Sequence, residues 1–196
     1  MRKNKEETAE SRRRILKEAA RLYREKGFSG VGVTDIMEAA GMTHGGFYRH
    51  FPSKEALIAE AMTEAFTDRA SPLAPDHGEA GSDLLRNYID LYLSKDHLDH
   101  PAAGCPVAAV GSEAAHIGGD VSRVFHDGVA RTIDRVAEAL GGAKEESRSE
   151  ALRLLATLVG AIVIARAVGN HSDIQDDVLK AVRADGGVSR LIGAER

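Results

Sequence analysis

At 196 residues, with 43% hydrophobic and 29% charged side chains, the chain has the composition of one or two folded domains and excludes a disordered or fibrous protein. One cysteine, Cys105, excludes an internal disulfide, and the charged opening MRKNKEETAESRRR has no apolar run behind it of the kind a secretory signal needs. The net charge of −4 is unevenly spread: residues 1–55 hold 12 basic against 8 acidic side chains, so a basic front precedes an acidic body and only the front is expected to meet a polyanion.

Nearly every segment has a helical period, and none reads as a strand. A first helix is expected over 8–26, with Ile15, Ala19 and Leu22 on one face and Gly27 as its stop. A short second helix follows Thr34 as N-cap and ends at Gly41. A third opens at Thr43, with Met42 and Phe47 spaced as a hydrophobic staple, and Pro52 halts it. Ser53 caps a fourth, carrying Leu57, Ile58, Ala61 and Met62.

The stretch SPLAPDHGEAG (71–81) reads as a linker. A helical stripe of Leu85, Tyr88 and Tyr92 comes next, then a loop HLDHPAAG, then a helix with Pro106 in its first position. Gly118 and Gly119 separate it from a long helix bearing Phe125, Val129, Ile133, Val136 and Leu140. Capping-box spacings at Ser147…Glu150 and Ser172…Gln175 open two more, the first covering about 148–168. The apolar run 154–165 falls short of the ~20 residues that a membrane span needs, and Arg166 closes it. The expected fold class is all-α, with about nine helices and no internal repeat.

Three helices in the first 51 residues, the last two short and joined through Gly41, describe a helix-turn-helix. Met42, Phe47 and Phe51 supply the inner side of the third helix, and Thr43, His44, Tyr48, Arg49 and His50 the outer. Hydroxyl, phenol, imidazole and guanidinium groups suit phosphates and base edges. Arg12, Arg13 and Arg14 read either as a basic arm toward flanking phosphate or minor groove, or as a solvated charge run.

The segment VTDIMEAAGMTHGGFYRHFPSKEAL resembles the DNA-binding signature of the tetracycline-repressor (TetR) family at Thr34, Ala40, Gly41, Phe47, Tyr48, His50, Phe51, Lys54 and Leu57. The pattern over 15–22 and Gly27-Phe28 extends the match to about the first 60 residues. The resemblance implies that Tyr48, His50 and Lys54 bind phosphate, with Thr34 and Thr43 donating to the backbone as well. Base reading would fall to His44, Gly45 and Gly46, with Arg49, and to DNA shape. It also implies a homodimer, a small-molecule effector bound by the second domain, and double-stranded operator DNA as partner. The expected division is 1–53 for DNA binding, a connecting fourth helix at 54–70, and 71–196 for ligand sensing and dimerisation.

The helix over 148–168 is apolar on more than one face, which suits pairing with its copy and with the last helix across a two-fold axis, or burial within one chain. Tyr88, Tyr92, His116 and Phe125 are candidate ligand-pocket residues, though each also reads as core. Cys105 precedes a helix that starts at Pro106, where the dipole favours a thiolate that reacts with electrophiles; a small buried hydrophobe is the other reading. His97, His100 and Cys105 do not have a strong zinc spacing, so no metal and no cofactor are expected.

No phosphate-cradling glycine loop, nucleophile elbow or metal-helix motif is present, so an enzyme is not expected. The reading is a cytoplasmic, ligand-responsive transcriptional repressor, on the nucleoid when DNA-bound, released by a small molecule or an electrophile. A transcriptional activator of the same fold and a helical ligand-binding protein without DNA binding are the alternatives.

Overall fold

A computed structural model describes residues 2–67, 81–169 and 173–191. Among these residues the chain is all-α, with ten α-helices, two 3-10 helices and no strand. The order is α1 (Arg2–Lys26), α2 (Val33–Ala39), the 3-10 helix η1 (His44–Arg49), α3 (Lys54–Thr67), α4 (Gly81–Tyr92), α5 (Lys95–Asp99), the 3-10 helix η2 (Pro101–Ala103), α6 (Pro106–Ile117), α7 (Gly119–Leu140), α8 (Lys144–Val168), α9 (Ile174–Ala184) and α10 (Gly186–Leu191). The excess over nine comes from short pieces. α5 and η2 form in the stretch read as a loop, and α10 follows the last expected helix.

Two compact units result: Met1–Asp68 with Pro101–Gly128, and Arg69–His100 with Val129–Arg196. These do not coincide with the boundaries drawn at residues 53 and 71. In the first unit Ile15, Ala19 and Tyr23 of α1, Ile36 and Met37 of α2, Phe47, Phe51, and Leu57 and Met62 of α3 are buried in one core. Val110 and Ala114 of α6 and Val121 and Phe125 of α7 complete it. Phe66 meets Phe125 edge-on, with ring centroids 5.3 Å apart. The sequence pattern locates apolar faces but not which face they meet across ~50 residues of chain, so it leaves residues 101–128 with the second domain.

Several caps differ from the expected ones. α2 starts at Val33 with Gly32 as N-cap, so Thr34 lies within its first turn. Asp35 caps it from inside, its carboxylate accepting the Gly32 N–H at 2.7 Å. Ser53 caps α3 as expected, Oγ accepting from the Ala56 N–H at 3.1 Å. α8 begins at Lys144, before the expected cap. Ser147 is therefore a buried helical residue whose Oγ donates to the Gly141 carbonyl. α9 is preceded by Asp173 as N-cap, and Gln175 is buried, with its amide donating to the Ala165 carbonyl at 3.1 Å. The other expected capping residue there, Ser172, lies outside the described residues.

In the second unit α8 buries Ala151, Leu154, Leu155, Leu158, Ala161, Ile162 and Ala165 and packs along α9. Arg166 holds the end of α5, donating to the His97 and Leu98 carbonyls at 2.5 and 3.1 Å. Arg183 of α9 bonds Asp90 of α4 at 2.6 Å. Leu152, Val163 and Ile164 on α8 remain 47%, 44% and 50% exposed, and Ile174 of α9 is 51% exposed. Taken whole, α8 is long and apolar enough to cross a membrane by length and composition, because it extends beyond the run 154–165.

Candidate nucleic-acid interface

The candidate reading surface is built from the start of α2 and from η1. Gly41, at φ +72°, turns the chain between them, a conformation open to glycine without strain. Thr43 is the N-cap of η1. The segment His44–Arg49 is wound as a 3-10 helix and not as the expected α-helix, in keeping with two adjacent glycines of low helix propensity. Phe47 is buried and stacks on Phe51 with centroids 5.9 Å apart, so the inner side of η1 is fixed to the core.

The outer side is open. Thr34, Thr43, His44, Gly45, Tyr48 and Arg49 are exposed, while Gly46 and His50 are half-buried. Tyr48 is 74% exposed although its neighbour Phe47 is 1% exposed. Thr34 Oγ1 and His44 Nδ1 lie 3.1 Å apart in a hydrogen bond joining the starts of the two elements. Burial first, then the guanidinium groups of Arg49 and Arg12, hold the His50 imidazole below its ordinary pKa. Its Nδ1 is buried without a hydrogen-bond partner among the described residues. His50 thus sits neutral at pH 7, leaving Nε2 as its remaining polar atom.

Lys54 occupies a more constrained place. Its Nζ donates to the carbonyls of Phe28 and Val31, both at 2.7 Å, so at most one of three N–H groups is left for a phosphate. Arg12, Arg13 and Arg14 are part of α1 and not an extended arm. Arg12 pairs with Glu60 and lies over the Phe51 ring, 4.7 Å from its centroid, while Arg13 pairs with Glu10.

The candidate ligand residues are divided between the units. Tyr88 and Tyr92 are buried in the second, edge-on with centroids 5.5 Å apart, and Tyr92 meets the His97 ring at 4.6 Å. Burial pushes the His97 imidazole down; the Tyr92 carbonyl, which accepts from Nδ1 at 2.7 Å, acts against that shift. Cys105, His116 and Phe125 belong to the first unit. Cys105 is half-buried at the N-cap of α6, His116 is exposed with Nδ1 on the Ser112 carbonyl of its own helix, and Phe125 is core. Among the described residues no group of three or more His, Cys, Asp or Glu side chains is placed to hold a metal ion. Sequence reasoning missed an open cleft of about 270 Å³ in the second unit, lined by Leu140, Ala143, Glu146, Glu150, Arg190 and Leu191. It also missed three hydrogen bonds that 101–117 makes to α1 and the loop after it, from Arg24 to the Gly104 carbonyl and from the Phe28 and Ser29 N–H groups to Glu113. They reach across 80, 85 and 84 positions, where spacing carries no signal.

Residues 15–61 match the family model described as bacterial regulatory proteins of the tetR family. An uncharacterized HTH-type transcriptional regulator of Mycobacterium tuberculosis is 30% identical over 165 residues, covering 79% of this chain and 84% of that protein. The HTH-type transcriptional repressor NemR of Escherichia coli is 23% identical over 145 residues, covering 72% of this chain and 73% of NemR. The crystal structure of reduced E. coli NemR superposes with a TM-score of 0.71 at 21% identity, over 88% of this chain and 95% of that one.

Proposed function

This chain belongs to the tetR family of bacterial regulatory proteins and is a DNA-binding transcriptional regulator, and we propose that it is a homodimeric repressor whose operator hold is released by a small molecule or an electrophile. The observation that carries the reading is the two-sided η1: Phe47 is locked into the core while Tyr48, beside it, offers its phenol to solvent.

In this reading Thr34, Thr43, Tyr48 and His50 donate to backbone phosphates, with Lys54 adding its remaining N–H and its charge. His44 and Arg49 face base edges, and Gly45 and Gly46 let the backbone approach the groove. Neutral His50 serves as an Nε2–H donor. Repression needs only that the bound dimer occlude a promoter, and NemR is itself described as a repressor. A cytoplasmic location follows from that role.

Dimerisation is supported by the apolar side chains that α8 and α9 leave exposed, Leu152, Val163, Ile164 and Ile174. Effector sensing is assigned to the second unit around Tyr88 and Tyr92, or to Cys105. Effector and operator then weaken each other by one common factor. Selection from random-sequence duplex DNA tests the proposal. Enrichment of one two-fold-related site is expected, with half-sites separated by about one helical turn or a multiple. No enrichment would overturn it.

A further inference from the structure

The loop between α1 and α2, residues 27–32, leads into the helix-turn-helix and is held by side chains of three other elements. Lys54 of α3 takes the carbonyls of Phe28 and Val31, and Asp35 of α2 takes the N–H of Gly32. The remaining hold comes from far along the chain. Glu113, in the middle of α6, accepts the N–H groups of Phe28 at 2.9 Å and Ser29 at 3.3 Å through one carboxylate oxygen.

The fit around that carboxylate is close. Gly27 has φ +79°, and a Cβ there would stand 2.5 Å from Glu113 Oε1. Gly30 has no room either, since its Cβ would meet the Lys26 carbonyl at 2.2 Å. A second bond ties the same far segment to α1: Arg24, in the last turn of α1, donates to the Gly104 carbonyl at 3.0 Å, one residue before the N-cap of α6. The two contacts form a clasp between the segments, with Arg24 reaching to the residue before the N-cap of α6 and Glu113 reaching back to the loop.

We propose that Glu113 is a positioning residue for DNA binding, holding the α1–α2 loop so that Thr34 and η1 present one fixed surface. This rests on the regulator reading above. Glu113 acts through Phe28 and Ser29 and touches no nucleic acid. A carboxylate taking two backbone N–H groups is a charge-assisted pair that water replaces poorly. The outward side of the loop stays hydrated when the clasp is lost, so the helices remain folded while the loop loosens.

The test combines operator affinity, its salt dependence and amide exchange in the full chain. Glu113→Ala is expected to bind the selected duplex about tenfold more weakly, as the loss of one charged hydrogen-bonding partner gives. The slope of log affinity against log salt stays at the wild-type value because no phosphate contact is removed. The amides of Phe28 and Ser29 exchange about tenfold faster or more. Glu113→Gln keeps an acceptor oxygen and restores affinity to within about threefold of wild type; it decides the matter if Glu113→Ala fails to fold. Wild-type affinity in Glu113→Ala, a changed salt slope, or no recovery in Glu113→Gln overturns the proposal. A wild-type protein that binds no duplex overturns the regulator reading itself. The exchange of amides 28 and 29 then still tests the clasp, and wild-type rates in Glu113→Ala overturn it.

Discussion

Tyr48 and Lys54 share an expected phosphate role but stand in different surroundings, and that difference separates their variants. The Tyr48 phenol is mostly in solvent, so Tyr48→Phe removes one hydrogen-bond donor without disturbing the core. Operator affinity should fall about three- to tenfold, with stability within about 0.5 kcal/mol of wild type. Lys54→Met removes the donor to two loop carbonyls. It should lower unfolding free energy by about 1–3 kcal/mol and weaken DNA binding together. A denaturant titration of both variants checks the contrast; equal stabilities would remove the loop-holding role of Lys54. The residue types of this surface were legible in the order Thr34, His44, Tyr48, Arg49, His50 and Lys54. The inward commitment of Lys54 was not, because its acceptors lie 23 and 26 positions earlier in the chain.

The same scale carries a pH dependence. Burial is the leading cause that lowers the pKa of both His50 and His97. Above their ordinary pKa of about 6.5 both are neutral whether the chain is folded or not, and they contribute nothing to the slope. Below it the unfolded chain takes up protons that the folded chain resists. Stability is therefore lost as pH falls from about 6.5 through the lower folded-state values. The urea midpoint should drop between pH 7.5 and 5.5, and His97→Gln should flatten its share of that drop. A slope unchanged in His97→Gln would contradict the assignment.

Among elements, η1 shows how a local sequence choice shapes a reading surface. Gly45 is exposed with open space where a Cβ would go, and no positive φ holds it to glycine. Gly45→Ala should fold at least as well as wild type, gaining up to about 1 kcal/mol in helix propensity. It should nonetheless weaken operator binding, because the methyl group projects into the expected contact. Thermal melting beside a DNA titration checks this, and undiminished affinity would mean that the groove does not approach Gly45. On α8, Val163→Glu places a charge on the exposed apolar side. It should shift the chain from dimer to monomer in sedimentation equilibrium; a dimer of wild-type strength would move the interface elsewhere. Periodicity made α1, α3, α6, α7 and α8 legible because each has a long apolar face. The start of α2 was less so: Gly32 is its N-cap and Asp35 caps from inside, where Thr34 was the expected opening, since several polar residues near a helix start satisfy the same sequence rule.

For the whole molecule, the uneven charge suggested a basic DNA-binding front and an acidic remainder, but packing cuts the chain differently. Residues 101–128 share a core with the first 68. That partition was invisible in the sequence because it rests on Val110, Ala114, Val121 and Phe125 packing with α1, α2 and α3, far earlier in the chain. It also sets Cys105, the half-buried thiol at the start of α6, in the same unit as η1. If an electrophile is the signal, Cys105→Ser should keep operator binding and lose its release by the electrophile; release at wild-type dose would assign sensing elsewhere.

The central claim is that the η1 surface reads DNA, and its most direct measurement is a titration of the protein with its selected duplex and with an unrelated duplex of equal length, at two salt concentrations. The account predicts a preference of about 1,000-fold or more for the selected site, with both affinities falling as salt rises. Equal affinity for the two duplexes at both salts would contradict it.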